Sequence, residues 1–315
     1  MDNLIIGLHC AARSAPEVLA RITNAEEAGI QVAWLTSGGV ARDPLAIFAA
    51  AAARTSQIEF GTCILPTFPR HPLAMVQGTL TVDDLAPGRL RLGVGPSHEP
   101  AITRTYGLPF ERPLEHLREY LTILNAVLKD GKVSFHGKRL HAEAEISAPT
   151  GVRVMMSALR RNAFLLAGEL ADGGITWVTP MNHVTNVARP AIEEGATRAG
   201  RRAPPVIVHQ PIVVSTNADA VHQAALRQFG FYPRLPFYSR MWQDAGYPEA
   251  AEGQFSSRMA RALVISGDED EVERRIREMP AGGAGEIIAD IVVLRDEPES
   301  MGRTVKLLGR LAHSS

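Results

Sequence analysis

The chain has 315 residues, 45% hydrophobic and 21% charged, enough to bury a large core, and one domain over 1–315 is the default at this length. A formal net charge of −1 with scattered arginines gives no basic stripe for nucleic acid or an anionic membrane surface. The two cysteines, Cys10 and Cys63, exclude a disulfide framework and a cysteine-rich zinc site, no segment reaches the ~20 apolar residues that span a bilayer, and no cationic leader precedes the first apolar run. These features predict a cytoplasmic protein with reduced thiols.

Leu4 to His9 is a short apolar run suited to a buried strand. A helix follows from Pro16, with Val18, Leu19, Ile22, Ala25 and Ala28 at helical spacing until Gly29 stops it. Val32 to Leu35 is a second strand. Asp43-Pro44 supplies an N-cap and a first-turn proline for the alanine-rich helix Leu45 to Arg54. Strand Ile58 to Leu65, helix Leu73 to Leu85 and strand Arg89 to Val94 come next. Leu114, Leu117, Leu121, Leu124 and Leu128 then form a seam on one helix face, suited to packing on the protein's own core. After Gly131, Val133 to Phe135 and Arg139 to His141 flank His136-Gly137 and predict a small hairpin outside the core. Val152 to Met156, Ile175 to Val178, Val206 to Val214 and Glu286 to Leu294 read as strands. Between and after them lie helices over Asn162 to Ala171, Val184 to Ala199, from Ala218, Glu269 to Met279 and Pro298 to Leu311. Eight strands alternating with helices predict an α/β fold, a (β/α)8 TIM barrel. The competing open doubly wound sheet would bind a cofactor at the first strand's exit, where His9-Cys10-Ala11-Ala12-Arg13 has no glycine.

Two stretches end a β-prone run in glycine, proline and small polar residues ahead of a helix: Gly61-Thr62-Cys63-Ile64-Leu65-Pro66-Thr67-Phe68-Pro69-Arg70-His71-Pro72 and Leu92-Gly93-Val94-Gly95-Pro96-Ser97-His98-Glu99-Pro100. In a parallel α/β architecture such strand ends carry the chemistry. The second stretch is superficially a dinucleotide loop, but it lacks the third glycine, and Pro96 removes an N–H that a phosphate cradle would use. His98, and His9 at the end of the first strand, are acid/base candidates because imidazole has both protonation states within reach near neutrality. The plainer reading of His98 is a loop histidine bonded to the next turn. Cys10 reads as a small buried hydrophobe, and a metal site from His9, His71 and His98 has no ligand-spacing signature.

Those stretches, with Tyr106-Gly107-Leu108-Pro109-Phe110-Glu111-Arg112-Pro113 and Leu166-Ala167-Gly168-Glu169-Leu170-Ala171-Asp172-Gly173, stand in an order that resembles the bacterial-luciferase-like superfamily over nearly the whole chain. Within it they are most similar to the branch that uses the deazaflavin coenzyme F420. The resemblance implies a ring bound at the barrel mouth against a non-proline cis peptide, here Cys63-Ile64; on composition alone those two residues are trans core positions. It further implies coenzyme contacts at Ser37, Cys63, Ile64, Gly95, Pro96, Ser97 and His98 and at the loop Ala158, Leu159, Arg160, Arg161, with His98 where many relatives carry an acid/base glutamate. That loop lacks the glycine pair that lets backbone amides approach a phosphate. Either Arg160 or Arg161 replaces the contact through its side chain, or the pair is surface charge. Ser37-Gly38 also lacks the Asp-His pair of sugar-phosphate-oxidising relatives.

Eight aromatic residues fall between Phe229 and Phe255, nearly half of the chain's total, and two placements suit them: a lid at the barrel mouth, or packing on the outer ring or a second subunit. The expected activity is hydride transfer between F420 and a small organic substrate by a homodimer. A reduced-FMN monooxygenase and a coenzyme-binding protein without turnover are the competing readings.

Overall fold

The computed structural model describes residues 4–313. Eight parallel strands follow in chain order: β1 (Ile5–His9), β2 (Val32–Leu35), β3 (Glu59–Thr62), β4 (Leu90–Gly95), β5 (Arg153–Ser157), β6 (Gly174–Ile175), β7 (Val206–Val214) and β8 (Glu286–Ile291). Each pairs with the next, and β8 returns to β1 with Ile5 opposite Glu286 and Leu8 opposite Ala289, closing the (β/α)8 barrel. Side-chain caps start the first helices: Asp43 caps Pro44–Ala52 as the sequence predicts, Ser14 caps Ala15–Glu27, and His71 accepts from the Leu73 N–H at the head of Pro72–Leu85. Among the described residues no helix is long and apolar enough to cross a membrane.

Departures from the sequence expectation cluster at the mouth. β3 ends at Thr62 rather than Leu65, and the chain pairs again at Leu65–Pro66 beside Val94 and Gly95; the Cys63–Ile64 peptide bond between them is cis, as the resemblance implies and against the trans reading from composition. β6 stops at Ile175, and Val178 takes the left-handed region at a φ of 49°. The expected helix Val184 to Ala199 is a short turn Met181–His183, a wide π-type segment Val184–Ala188 and a helix Arg189–Arg198. The hairpin forms as Lys132–His136 against His141–Glu145. Helices Pro236–Asp244 and Ser257–Leu263 and strand Ile265–Gly267, which extends the sheet from β7, have no counterpart in the sequence reading.

Inward side chains fill the barrel in three layers. The middle is an apolar plug built on fully buried Trp34 with Met155, Ile207 and Ile288. Its neighbours on β1 and β3 must be glycine, because a Cβ at Gly7 or Gly61 would lie 2.3 Å from the indole. Beneath it, buried Arg91 bridges Glu59 and Glu286, and Glu59 also holds Arg153. Glu286 is 2% exposed with Oε1 unpartnered, and burial pushes its carboxyl up to about 7 against the pull of Arg91. Replacing Arg91 by Met removes that cation. Unfolding free energy is expected to drop by about 3–5 kcal/mol at pH 8, where Glu286 ionises, and by clearly less at pH 5, where it takes a proton. Urea denaturation at both pH values checks this; equal losses would mean that Arg91 acts by packing alone.

Candidate active site

Alternation along a strand puts every second side chain inside the barrel, so on β8 the series Glu286, Ile288, Asp290 climbs from floor to mouth. His9 ends β1, and His209 follows Ile207 on β7 by the same step. All three meet. His9 Nδ1 lies 3.1 Å from Asp290 Oδ1, and His209 Nε2 lies 3.1 Å from Asp290 Oδ2. The Gln228 amide donates to Asp290 Oδ2 at 3.2 Å. The Val178 N–H donates to His209 Nδ1 at 3.3 Å, which leaves the His209 proton on Nε2, directed at the carboxylate. His9 Nε2 is 3.1 Å from the Thr36 hydroxyl at the end of β2. Burial alone would raise the Asp290 pKa, but the charge and hydrogen bonds of its two imidazole partners prevail and hold it well below the usual carboxylate range. Burial lowers the His209 pKa despite Asp290.

An aromatic wall stands over this network. Trp177 stacks on His209 with centroids 3.7 Å apart, and its indole N–H donates to the Tyr232 hydroxyl at 2.7 Å. Tyr232 meets Tyr238 at 4.7 Å, and Tyr238 meets His98 at 5.6 Å. The first part of the 229–255 segment therefore lies across the mouth. Its later part, with Trp242 and Phe255, forms a small core of its own with Ala250 and Met259. Burial pushes the Tyr232 hydroxyl up to about 12.

The positions that the resemblance implies for the coenzyme occupy the ends of β2 to β5. The Ser37 N–H donates to the Ile64 carbonyl at 3.3 Å. A Cβ at Gly95 would come 2.2 Å from Ser157 Oγ and 3.1 Å from the Ile64 side chain, so this wall stays flat only with glycine. Pro96 is half-buried, and Ser97 sits at a φ of 63°. Burial and then the charge of Asp290 raise the Cys63 thiol well above its ordinary value. The Ala158 N–H donates to the Ile175 carbonyl, and the Leu159 carbonyl bonds His183 Nε2. Arg160 pairs with Asp244 of helix Pro236–Asp244 at 3.0 Å, while Arg161 pairs with Glu194 on the outer ring. Gly38 and Gly39 leave open space at the β2 exit. A flat wall of backbone and Ile64, with serines at its edge, fits a planar ring bearing polar edges.

His98 is half-buried, its ring has no hydrogen bond among the described residues, and burial lowers its pKa. His71 is taken up by its helix cap and the His141 carbonyl. Burial and then Arg21 set the Cys10 thiol, which ends up at about 12 and is inert at neutral pH. A cavity of about 1130 Å³ ends on His9, Trp177, Gln228, Tyr232 and Asp290 and runs out between helices Ala15–Glu27 and Glu299–His313; Ile64, Gly95 and His98 do not line it. Sequence reasoning missed Asp290, His209, Thr36 and Trp177. The available signal was a titratable residue inside an otherwise apolar barrel strand, as in Val206-Ile207-Val208-His209 and Ile287-Ile288-Ala289-Asp290.

Over residues 7–286 the sequence matches the luciferase-like monooxygenase family. The chain belongs to that family. An F420-dependent glucose-6-phosphate dehydrogenase of Microbacterium testaceum is 30% identical over 266 residues, covering 79% of this chain and 77% of that protein. An F420-dependent secondary alcohol dehydrogenase, solved with an F420–acetone adduct, superposes with a TM-score of 0.83 at 18% identity and 98% coverage of both chains. The oxygenating constituent of 3,6-diketocamphane monooxygenase from Pseudomonas putida, solved with FMN, gives 0.76 at 16% identity, covering 99% of this chain and 98% of that one. At these identities the two structures establish the shared fold.

Four histidines whose pKa burial lowers set a pH dependence. His209, His98, His183 and His116, the last at about 4, all have native values below 6.5. Between those values the unfolded chain binds more protons, so the stability these groups contribute is complete above about 6.5 and is lost as pH falls toward 4. Glu286, whose raised value acts in the opposite direction over the same range, is common to wild type and variant, so the thermal midpoint followed by circular dichroism is compared between the two. His209→Gln should start lower at pH 7 and fall less steeply; an unchanged slope would remove His209 from this account.

Proposed function

We propose that this family member is an F420-dependent oxidoreductase, passing a hydride between the coenzyme and a small, largely apolar organic substrate. The observation that carries the proposal is the His9–Asp290–His209 network at the mouth, beside a flat wall suited to a ring. F420-dependent relatives support the coenzyme assignment. When bound, the deazaflavin supplies a carbon centre that gives or takes hydride. Ser37, Cys63, Ile64 and Gly95 to His98 would hold its ring, and Ala158, Leu159 and Arg160 its phosphate side; Arg161, drawn to Glu194 on the outer ring, takes the surface-charge reading.

The remaining work falls to the chain's own groups. Asp290 fixes the His9 ring through Nδ1, so a proton is delivered or received at His9 Nε2, beside the Thr36 hydroxyl. Trp177 and Tyr232 stand beside this point and, with His9, line the inner end of the cavity. His98, with no charged partner and a lowered pKa, is a neutral wall residue facing the tyrosines. Ser37-Gly38 in place of an Asp-His pair and the aromatic wall favour an apolar substrate over a sugar phosphate. A cytoplasmic homodimer belongs to the same proposal and rests on the family alone.

Fluorescence titration of the purified chain is expected to show tighter binding of F420 than of FMN. FMN binding at least as tight would move the reading to a reduced-flavin monooxygenase. Turnover, screened over ketones, secondary alcohols, enones and imines, is expected to fall about 10²–10⁴-fold in His9→Gln with F420 affinity retained, and much less in His98→Gln. The reverse order would put proton transfer on the β4 loop.

A further inference from the structure

The cavity that ends on His9 has a side opening, and its walls come from opposite ends of the chain. Helix Ala15–Glu27 turns Arg21, Asn24 and Ala25 toward it, and helix Glu299–His313 turns Gly302, Val305 and Lys306; these spacings put each set on one helix face. The helices meet at their lower ends, where a Cβ on Gly309 would lie 2.0 Å from the Ala28 carbonyl and one on Gly29 would strike the His313 ring. Nearer the mouth small side chains leave a gap, and a Cβ on Gly302 would meet nothing within 4 Å.

Its charge is uneven. Arg21 donates to the Ala11 carbonyl and forms no ion pair among the described residues, and Lys306 is exposed and likewise unpaired. Both lie about two turns into helices that run down from the mouth, so the two cations flank the cleft at similar depth, roughly 10 Å along the helix axes. The one carboxylate lining the cavity is Asp290 at its inner end, engaged by two imidazoles. The volume of about 1130 Å³ suits a small organic ligand rather than a protein segment.

We propose that this cleft binds an organic anion with an apolar body, its carboxylate between Arg21 and Lys306 and its other end directed at His9. Assigning the inner end as the reacting end rests on the function proposed above; anion binding does not. The apolar body lies against Ala25, Val305 and Met301, and charge complementarity sets the orientation.

The test titrates the full-length chain, without coenzyme, with decanoate and with decan-1-ol, using calorimetry. Decanoate is expected to bind more tightly than the alcohol and to weaken as salt rises. Arg21→Gln and Lys306→Gln should each weaken decanoate by about tenfold and leave the alcohol unchanged. Gly302→Leu has room for its side chain and should abolish binding of both probes. Equal affinity for acid and alcohol, no binding of either, or undiminished decanoate binding in Gly302→Leu would overturn the proposal. A change of oligomeric state in Gly302→Leu on size-exclusion chromatography would overturn it in favour of a subunit interface. F420 titration of the same variants separates the two readings: decanoate bound with F420 not bound sinks the coenzyme assignment and leaves the cleft standing, and the converse sinks the cleft.

Discussion

The barrel closes where β8 lies parallel to β1, Ile5 opposite Glu286 and Leu8 opposite Ala289, and this register decides what faces what across almost the full length of the chain. It brings His9 within hydrogen-bonding distance of Asp290, 281 positions later. Slipping the pairing by one residue would turn Asp290 out of the barrel and Ala289 into it, leaving both imidazoles without their carboxylate. The same seam places the first and last helices side by side and so creates the cleft between them. Chemistry and access thus depend on one strand pairing.

Charge inside a barrel has to be balanced locally, because desolvation of a lone carboxylate costs several kcal/mol. Two solutions occur here, separated by the Trp34 layer. At the floor, Arg91 and Arg153 neutralise Glu59 and Glu286 by direct pairing. At the mouth, Asp290 is held by two imidazoles and the Gln228 amide. The floor pairs guanidinium groups that stay charged, so it is a structural plug. Imidazole partners at the mouth can give up a proton, and that layer lines a cavity.

The fold was legible in the sequence because its signals are local. Val206–Val214 is a β-prone run, apolar but for His209 and Gln210, and appears as a strand with those bounds, and the leucine seam buries Leu117, Leu121, Leu124 and Leu128. Glycines at 7 and 61 did not announce their role, since what they accommodate is Trp34 on the strand between them. The 229–255 segment was legible as aromatic and unreadable as structure: its short helices are fixed by packing of Tyr238, Trp242 and Phe255 rather than by periodicity. At the site, the luciferase-like motifs directed attention to the β3, β4 and β5 exits. Asp290 and His209 sit in strands without a motif, and their meaning arises only when β7, β8 and β1 come together.

On the proposed reading, two histidines at one mouth are divided by their surroundings. His98 stands among Tyr232 and Tyr238 with no carboxylate in contact, so burial acts alone and the ring stays neutral. His9 touches an ionised carboxylate on one nitrogen and a hydroxyl on the other, which lets it carry a proton without exposing a bare charge to the barrel. A hydride donor or acceptor on the β2–β5 side then faces a proton carrier on the β8–β1 side, with the substrate between them. That separation also keeps the proton carrier off the ring wall, where Gly95 and Ile64 offer no group that titrates. The requirement that the two halves stay apart is met by the aromatic segment, which enters the mouth from the β7 end and reaches the β4 loop through Tyr238.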